Sequence, residues 1–217
     1  MVRTSMPQRE MDAGITKLIG GWLCLDFANT VDWHGSDHPE EGLNSYSDLI
    51  SWSRHVGILT DGEARQLLQE ARLHPKTAKA VLERAITLRE AVYQIFSAIA
   101  SHISPNASDL TTLNTELHEA MTRMQIMPTD GGYSLIYAVE ESVLDQMLWP
   151  ISRSAADLLT SDKLERISKC SAKDCGWLFL DMSRNRSRRW CDMKDCGNRA
   201  KARRHYQRKR VAHTSSH

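Results

Sequence analysis

Cys170-Ser171-Ala172-Lys173-Asp174-Cys175 and Cys191-Asp192-Met193-Lys194-Asp195-Cys196 are two C-x4-C pairs, fifteen residues apart, near the end of a chain of 217 residues. A tetrahedral Zn²⁺ takes four thiolates, and short chains supply them as close pairs. In a reducing compartment such spacing points to metal ligands rather than disulfides. Ligation by Cys170, Cys175, Cys191 and Cys196 would fill every position and leave none for a metal-bound water. The spacing therefore predicts a structural Zn²⁺ and argues against catalysis at the metal. A redox switch, with the metal released as disulfides form, is the alternative reading. The fifth cysteine, Cys24, lies in an apolar stretch and reads as a small buried hydrophobe.

Between the pairs, Trp177-Leu178-Phe179-Leu180-Asp181 reads as a short strand and Ser183 to Arg189 as a basic turn. Knuckle, strand, knuckle and helix is the order of a treble-clef-like zinc module. Its apolar residues are few (Trp177, Leu178, Phe179, Trp190), so metal binding must supply much of its folding free energy.

The second pair runs directly into Gly197-Asn198-Arg199-Ala200-Lys201-Ala202-Arg203-Arg204-His205-Tyr206-Gln207-Arg208-Lys209-Arg210. On a helix turning ~100° per residue, Arg199, Arg203, Tyr206 and Arg210 share one stripe, and no apolar stripe exists to bury. Net charge is only +1, yet residues 163–210 hold 16 Lys/Arg against 5 Asp/Glu, and the rest of the chain holds 12 against 22. An acidic body bearing a basic end points to nucleic acid. Arg188, Arg189, Arg199, Lys201, Arg203, Arg204, Tyr206, Arg208 and Arg210 are the candidate DNA contacts, neutralising phosphates or entering a groove. A tail docked on its own acidic body, and an RNA- or protein-binding module clamped by the zinc knot, are the competing readings.

Residues 1–162 read as a mainly helical domain with one short β-hairpin, and 163–217 as the zinc module. The first dozen residues are polar and expected to fray. Leu18 to Val31 is the most apolar stretch, either one helix with Leu18, Trp22, Leu25 and Asn29 on a face, or strand, turn and helix. Ser45 or Ser47 is placed to cap one helix, Thr60 with Glu63 to box another, and Pro75 to open a long third. Ser108 or Asn106 opens a helix with Leu110, Leu113, Leu117 and Met121 inward. Ile126 to Ala138 reads as a hairpin whose two short apolar runs flank Pro128-Thr129-Asp130-Gly131-Gly132. Glu140 to Leu159 returns to helix, where Pro150 predicts a kink.

Asp26, Asn29 and Thr30, followed by Asp32, Trp33 and His34, form the best polar cluster of the body. They read either as a site for a small-molecule effector or as internal braces. His34 and His38 are weak candidates for a second metal. No Gly-rich phosphate loop, nucleophile elbow or H-E-x-x-H occurs, so nothing supports an enzyme. No apolar run approaches the ~20 residues that span a bilayer, and Met1 to Met6 lack a signal peptide's apolar core. A cytoplasmic protein with no membrane partner is expected.

Cys196-Gly197-Asn198-Arg199, with three cysteines before it, resembles the CGNR zinc finger of bacterial proteins. Leu25-Asp26-Phe27-Ala28-Asn29-Thr30 is similar to the signature of the ABATE domain that precedes that finger. Together they cover nearly the whole chain. The resemblance implies DNA binding by the finger and a stress-induced regulatory role in transcription. Gly197 suits a position beside a metal ligand, and Asn198 one that caps the emerging helix. One short helix grips DNA weakly, so a homodimer on two half-sites is expected.

Overall fold

The computed structural model describes residues 17–138 and 143–214. The first dozen residues and Glu140-Glu141 lie outside them. The apolar opening stretch resolves into a turn and a short helix. Gly21 takes a φ of 75°, open to glycine without strain, and delivers the chain into α1 (Leu23–Ala28). Leu18 thus precedes the helix and shares no face with Leu25. Asn29 ends α1, and β1 (Val31–Asp32) pairs antiparallel with β2 (Glu40–Glu41).

Local signals then hold one after another. Ser45 accepts the Asp48 N–H and caps α2 (Tyr46–His55). Thr60 and Glu63 close a full capping box on α3 (Asp61–Leu73), and Pro75 opens α4 (Pro75–Ala100). In α5 (Ala107–Thr122) the inward residues are Leu113, Glu116 and Ala120, whereas Met121 is exposed. A charged residue takes the inward position because Arg84 of α4 meets Glu116 with two hydrogen bonds of 3.1 and 2.8 Å.

The strands β3 (Met124–Thr129) and β4 (Gly132–Tyr137) form the expected hairpin, with Asp130-Gly131 at its tip. Helix α6 (Leu148–Leu159) starts later than the apolar pattern suggests. Pro150 is therefore its third residue, where no intrahelical N–H bond is lost, and a kink is not required. A 3₁₀ turn (Leu164–Arg166) leads to β5 (Ile167–Lys169), antiparallel to β6 (Leu178–Leu180). A π-turn (Met193–Gly197) then runs into α7 (Asn198–Thr214).

The fold is mainly helical, as its periodicities predict. Helix α4 is the axis of the core, burying Ala85, Leu88, Val92, Ile95 and Phe96 against α1, α2, α5 and α6. Each large apolar side chain so buried contributes about 1.5–3 kcal/mol. Ile167, Leu178 and Leu180 belong to this same core, so the β5–β6 pair is packed into the helical body. Arg89, 2% exposed, grips Glu41 through both terminal nitrogens (2.6 and 2.7 Å) and pins the β1–β2 hairpin to α4. No helix among the described residues is long and apolar enough to cross a membrane.

Candidate metal centre and basic helix

The β5–β6 turn makes the first knuckle. Cys170 donates its N–H to the Trp177 carbonyl (2.8 Å), which folds the loop so that Cys170 and Cys175 face one another. Gly176, at φ 73°, permits the reversal. A Cβ there would also lie 2.7 Å from the Gly35 nitrogen, so glycine is required twice over. The second knuckle closes over the first as Cys191 N–H points at the Cys170 sulfur (3.4 Å).

The four Sγ atoms lie within 4.8 Å of one another, and Cys191 is 3.6 Å from Cys175 and 3.5 Å from Cys196. Tetrahedral Zn–S bonds of about 2.3 Å need sulfur separations of about 3.8 Å, so the donor set fits. All four cysteines are buried, with Trp177, Phe179 and Trp190 packed around them. Electrostatics points the same way. Hydrogen bonds from the Cys175 and then the Cys191 thiol draw Cys170 toward its thiolate. That thiolate in turn raises the pKa of Cys175 and of Cys191. One negative charge is tolerated and the next opposed, a balance that a divalent cation at the centre would reverse.

Arg199 is not a free surface cation. It donates to the Cys196 sulfur (3.1 Å), and its guanidinium lies 4.4 Å from the centroid of the Trp33 ring. It therefore joins one of the four clustered cysteines to the β1–β2 loop of the body. Arg188 is likewise structural: it covers Phe179 at 4.2 Å and donates to the carbonyls of Trp190 (3.1 Å) and Cys191. Arg189 lies 5.4 Å from the Trp190 ring centroid. Asn198 does not cap the helix it begins. Its amide donates backward to the Lys194 carbonyl (2.9 Å), and Asp192 caps the turn instead, accepting the Lys194 N–H (2.8 Å). Gly197 fits because a Cβ would meet the Met193 sulfur at 2.5 Å.

Beyond Ala200, which is buried, α7 leaves the body. Lys201, Arg203, Arg204, Tyr206, Arg208 and Lys209 are exposed, and none of the five cations among them forms an ion pair with a described residue. The side chain of Arg210 lies outside the described residues.

Two family profiles match this chain. That of the ABATE domain, described as "Putative stress-induced transcription regulator", matches residues 21–162. The CGNR zinc-finger profile matches residues 166–209 and holds all four clustered cysteines. The chain belongs to the ABATE family. It joins a domain of regulator type to a zinc finger. No curated protein shows a significant match to it.

Within the ABATE domain, the three candidate effector residues are held largely by the fold itself. Asp26 accepts the Gly20 N–H (2.7 Å), and burial pushes its carboxyl up to about 6. Asn29 binds both backbone groups of Leu178, each at 2.8 Å. Thr30 donates to the Phe27 carbonyl (2.8 Å) and is the one of the three that lines a cleft.

That cleft, about 530 Å³, opens between the β1–β2 hairpin and the zinc knot. Asp32, Trp33, Glu40 and Arg199 form its walls, and Lys17 pairs with Asp192 (3.4 Å) and with Asp195 at its rim. Burial, and then Glu40 beside it, push the Asp32 carboxyl above its ordinary range. Asp32 and Trp33 stood out in the sequence. Lys17, Glu40 and Asp195 did not, because only the folded chain sets them around one space. His34 is occupied elsewhere, bonded to Glu90 (3.0 Å) and stacked on Tyr93, and His38 is exposed. Neither joins a cluster of metal donors among the described residues.

Proposed function

We propose that this ABATE-family protein is a DNA-binding transcription regulator in which residues 163–217 hold Zn²⁺ and bind duplex DNA, while residues 1–162 sense an effector or dimerise. One observation carries the reading. Helix α7 is polar on every side, projects beyond its buried anchor Ala200, and exposes cations without acidic partners among the described residues. A helix with no face to bury and a one-sided charge is suited to a polyanion. Lys201, Arg203, Arg204 and Arg208 neutralise phosphates, and Tyr206, 68% exposed, stacks or hydrogen-bonds at the backbone. Arg210 is assigned with them from its place in the sequence.

In this reading Zn²⁺ is structural. Cys170, Cys175, Cys191 and Cys196 hold it, and the ion fixes the direction in which α7 leaves. Arg188, Arg189 and Arg199 position the knot first and face DNA second. The effector site is the cleft beside Thr30, Asp32 and Trp33. Arg199 lines that cleft, so a ligand seated against it would reach the first turn of α7. A differential affinity for two orientations of the helix is all that regulation requires.

Binding to duplex DNA and to RNA across a salt series tests this. DNA binding should weaken with log salt at about −0.9 per phosphate contacted, and one sequence should be preferred. Arg203→Ala with Arg204→Ala should weaken binding and flatten that slope. Equal binding to RNA and random duplex would favour an RNA-binding module. Absence of binding to either would favour a protein-binding clamp.

A further inference from the structure

We infer that the β3–β4 hairpin is the self-association surface of this chain, two copies packing the faces that carry Ile126 and Leu135. The inference deepens the dimer reading above and rests on it.

The hairpin's base is fixed and its arm is bare. Tyr137 lies 5.7 Å from the Trp149 ring of α6, and Ala138 N–H donates to the Arg123 carbonyl (2.7 Å). Beyond that base every residue from Gln125 to Ile136 is exposed. The register places Ile126 opposite Leu135 and Pro128 opposite Tyr133. Alternation then puts these four on one face with the anchored Met124–Tyr137 pair. Ile126 is 70% exposed, Tyr133 80% and Leu135 53%. On the opposite face Met127 and Ile136 are 43% and 42% exposed.

An isolated two-stranded hairpin is marginal in water. Its exposed apolar side chains amount to roughly 500 Å² per chain, in the upper part of the range for the largest apolar patch on a monomer, where such patches are often functional, and over half of the about 800 Å² per partner of a standard interface. Charge selects the occupant. Residues 124–137 contain one charged side chain, Asp130 at the tip, and no Lys or Arg. Nucleic acid or an anionic membrane would demand cations here. A two-fold interface instead sets the same patch against itself, bringing residues near the axis onto their own copies, which a charge-free patch tolerates. Pro128 has no N–H to offer, so strand addition along β3 is blunted. Face packing closes as a dimer where edge pairing could propagate.

The test is light scattering on the full chain over a dilution series, for wild type and for Ile126→Thr with Leu135→Thr. Threonine keeps strand propensity and removes apolar area. The wild type should run at twice the chain mass, and the double variant should dissociate at concentrations about tenfold higher or more. Its circular dichroism should match the wild type, because the residues replaced touch solvent. Amide exchange in 126–136 of the wild type should slow as concentration rises. A monomeric wild type overturns both the dimer reading and this surface. A wild-type dimer that the double change leaves equally tight, with exchange indifferent to concentration, overturns the surface alone.

Discussion

Asn29 holds both backbone groups of Leu178: its amide nitrogen donates to the Leu178 carbonyl and its amide oxygen accepts the Leu178 N–H, each at 2.8 Å. The bonds join the end of α1 to the strand that follows the first metal knuckle. Trp177 repeats the link by donating its indole N–H to the Val31 carbonyl (2.9 Å). The ABATE domain and the zinc finger are thus stitched through buried backbone.

Replacing Asn29 with Ala strands two buried backbone groups, so a loss of about 2–4 kcal/mol is expected by urea unfolding. Asn29→Asp should not rescue, since a carboxylate accepts from the Leu178 N–H but repels its carbonyl. Full rescue by Asp would refute the two-bond account.

Metal analysis should find one Zn²⁺ per chain. A chelator, or Cys191→Ser, should unravel the finger while the helices of residues 1–162 retain their far-UV signal. Leu178 and Leu180 lie in the body's core, so its melting temperature should also fall. A fall of roughly 5–10 °C is expected, each kcal/mol being worth about 2–4 °C at this size. Collapse of all helical signal would refute the division near residue 162, and an unmoved melting temperature would refute the shared core.

Arg199→Ala removes both the hydrogen bond to the Cys196 sulfur and the stack on Trp33. Retention of Zn²⁺ against a competing chelator should weaken by about tenfold. Arg199→Lys should restore little of it, because lysine lacks the planar fork. Arg203→Ala, on the exposed helix, should leave metal retention unchanged and weaken DNA binding. If the two arginines behave alike in the metal assay, Arg199 does not support the knot.

Asp26 provides a pH signature. Burial raises its folded pKa to about 6 from an ordinary 3.8, so the folded state holds the proton more tightly. Its contribution is fully present below pH 3.8 and is lost as pH rises through about 6. Asp26→Asn cannot ionise, and its oxygen can still accept the Gly20 N–H. Relative to wild type, the variant should gain about 2 kcal/mol between pH 4 and pH 7. A difference between the two proteins that does not vary with pH would refute this assignment.

Much of the architecture was legible along the chain because the forces concerned are local. Thr60 and Glu63 satisfy helix-end donors three residues apart, and Pro75 suits a first turn wherever that helix is placed. Cysteines at C-x4-C spacing chelate through their own loops. The structure departs from the local pattern where a distant partner or a neighbouring turn takes over. Glu116 takes an inward position on α5 because Arg84 pairs with it, while Met121 stays exposed. Asn198 fits a cap in isolation, yet the π-turn before it gave the cap to Asp192.

The candidate site divides in the same way. Cysteine spacing and the run of cations are properties of neighbouring residues, and they announce a metal knot with a basic helix before any folding is considered. Nothing local says that Asn29 will meet Leu178, 149 residues away, or that Arg199 will rest on Trp33. Nor does local pattern reveal that the β3–β4 apolar residues stay outside the chain's own core while those of β6 enter it. Those outcomes depend on which surfaces the packed helices leave open, and only the tertiary contacts choose them.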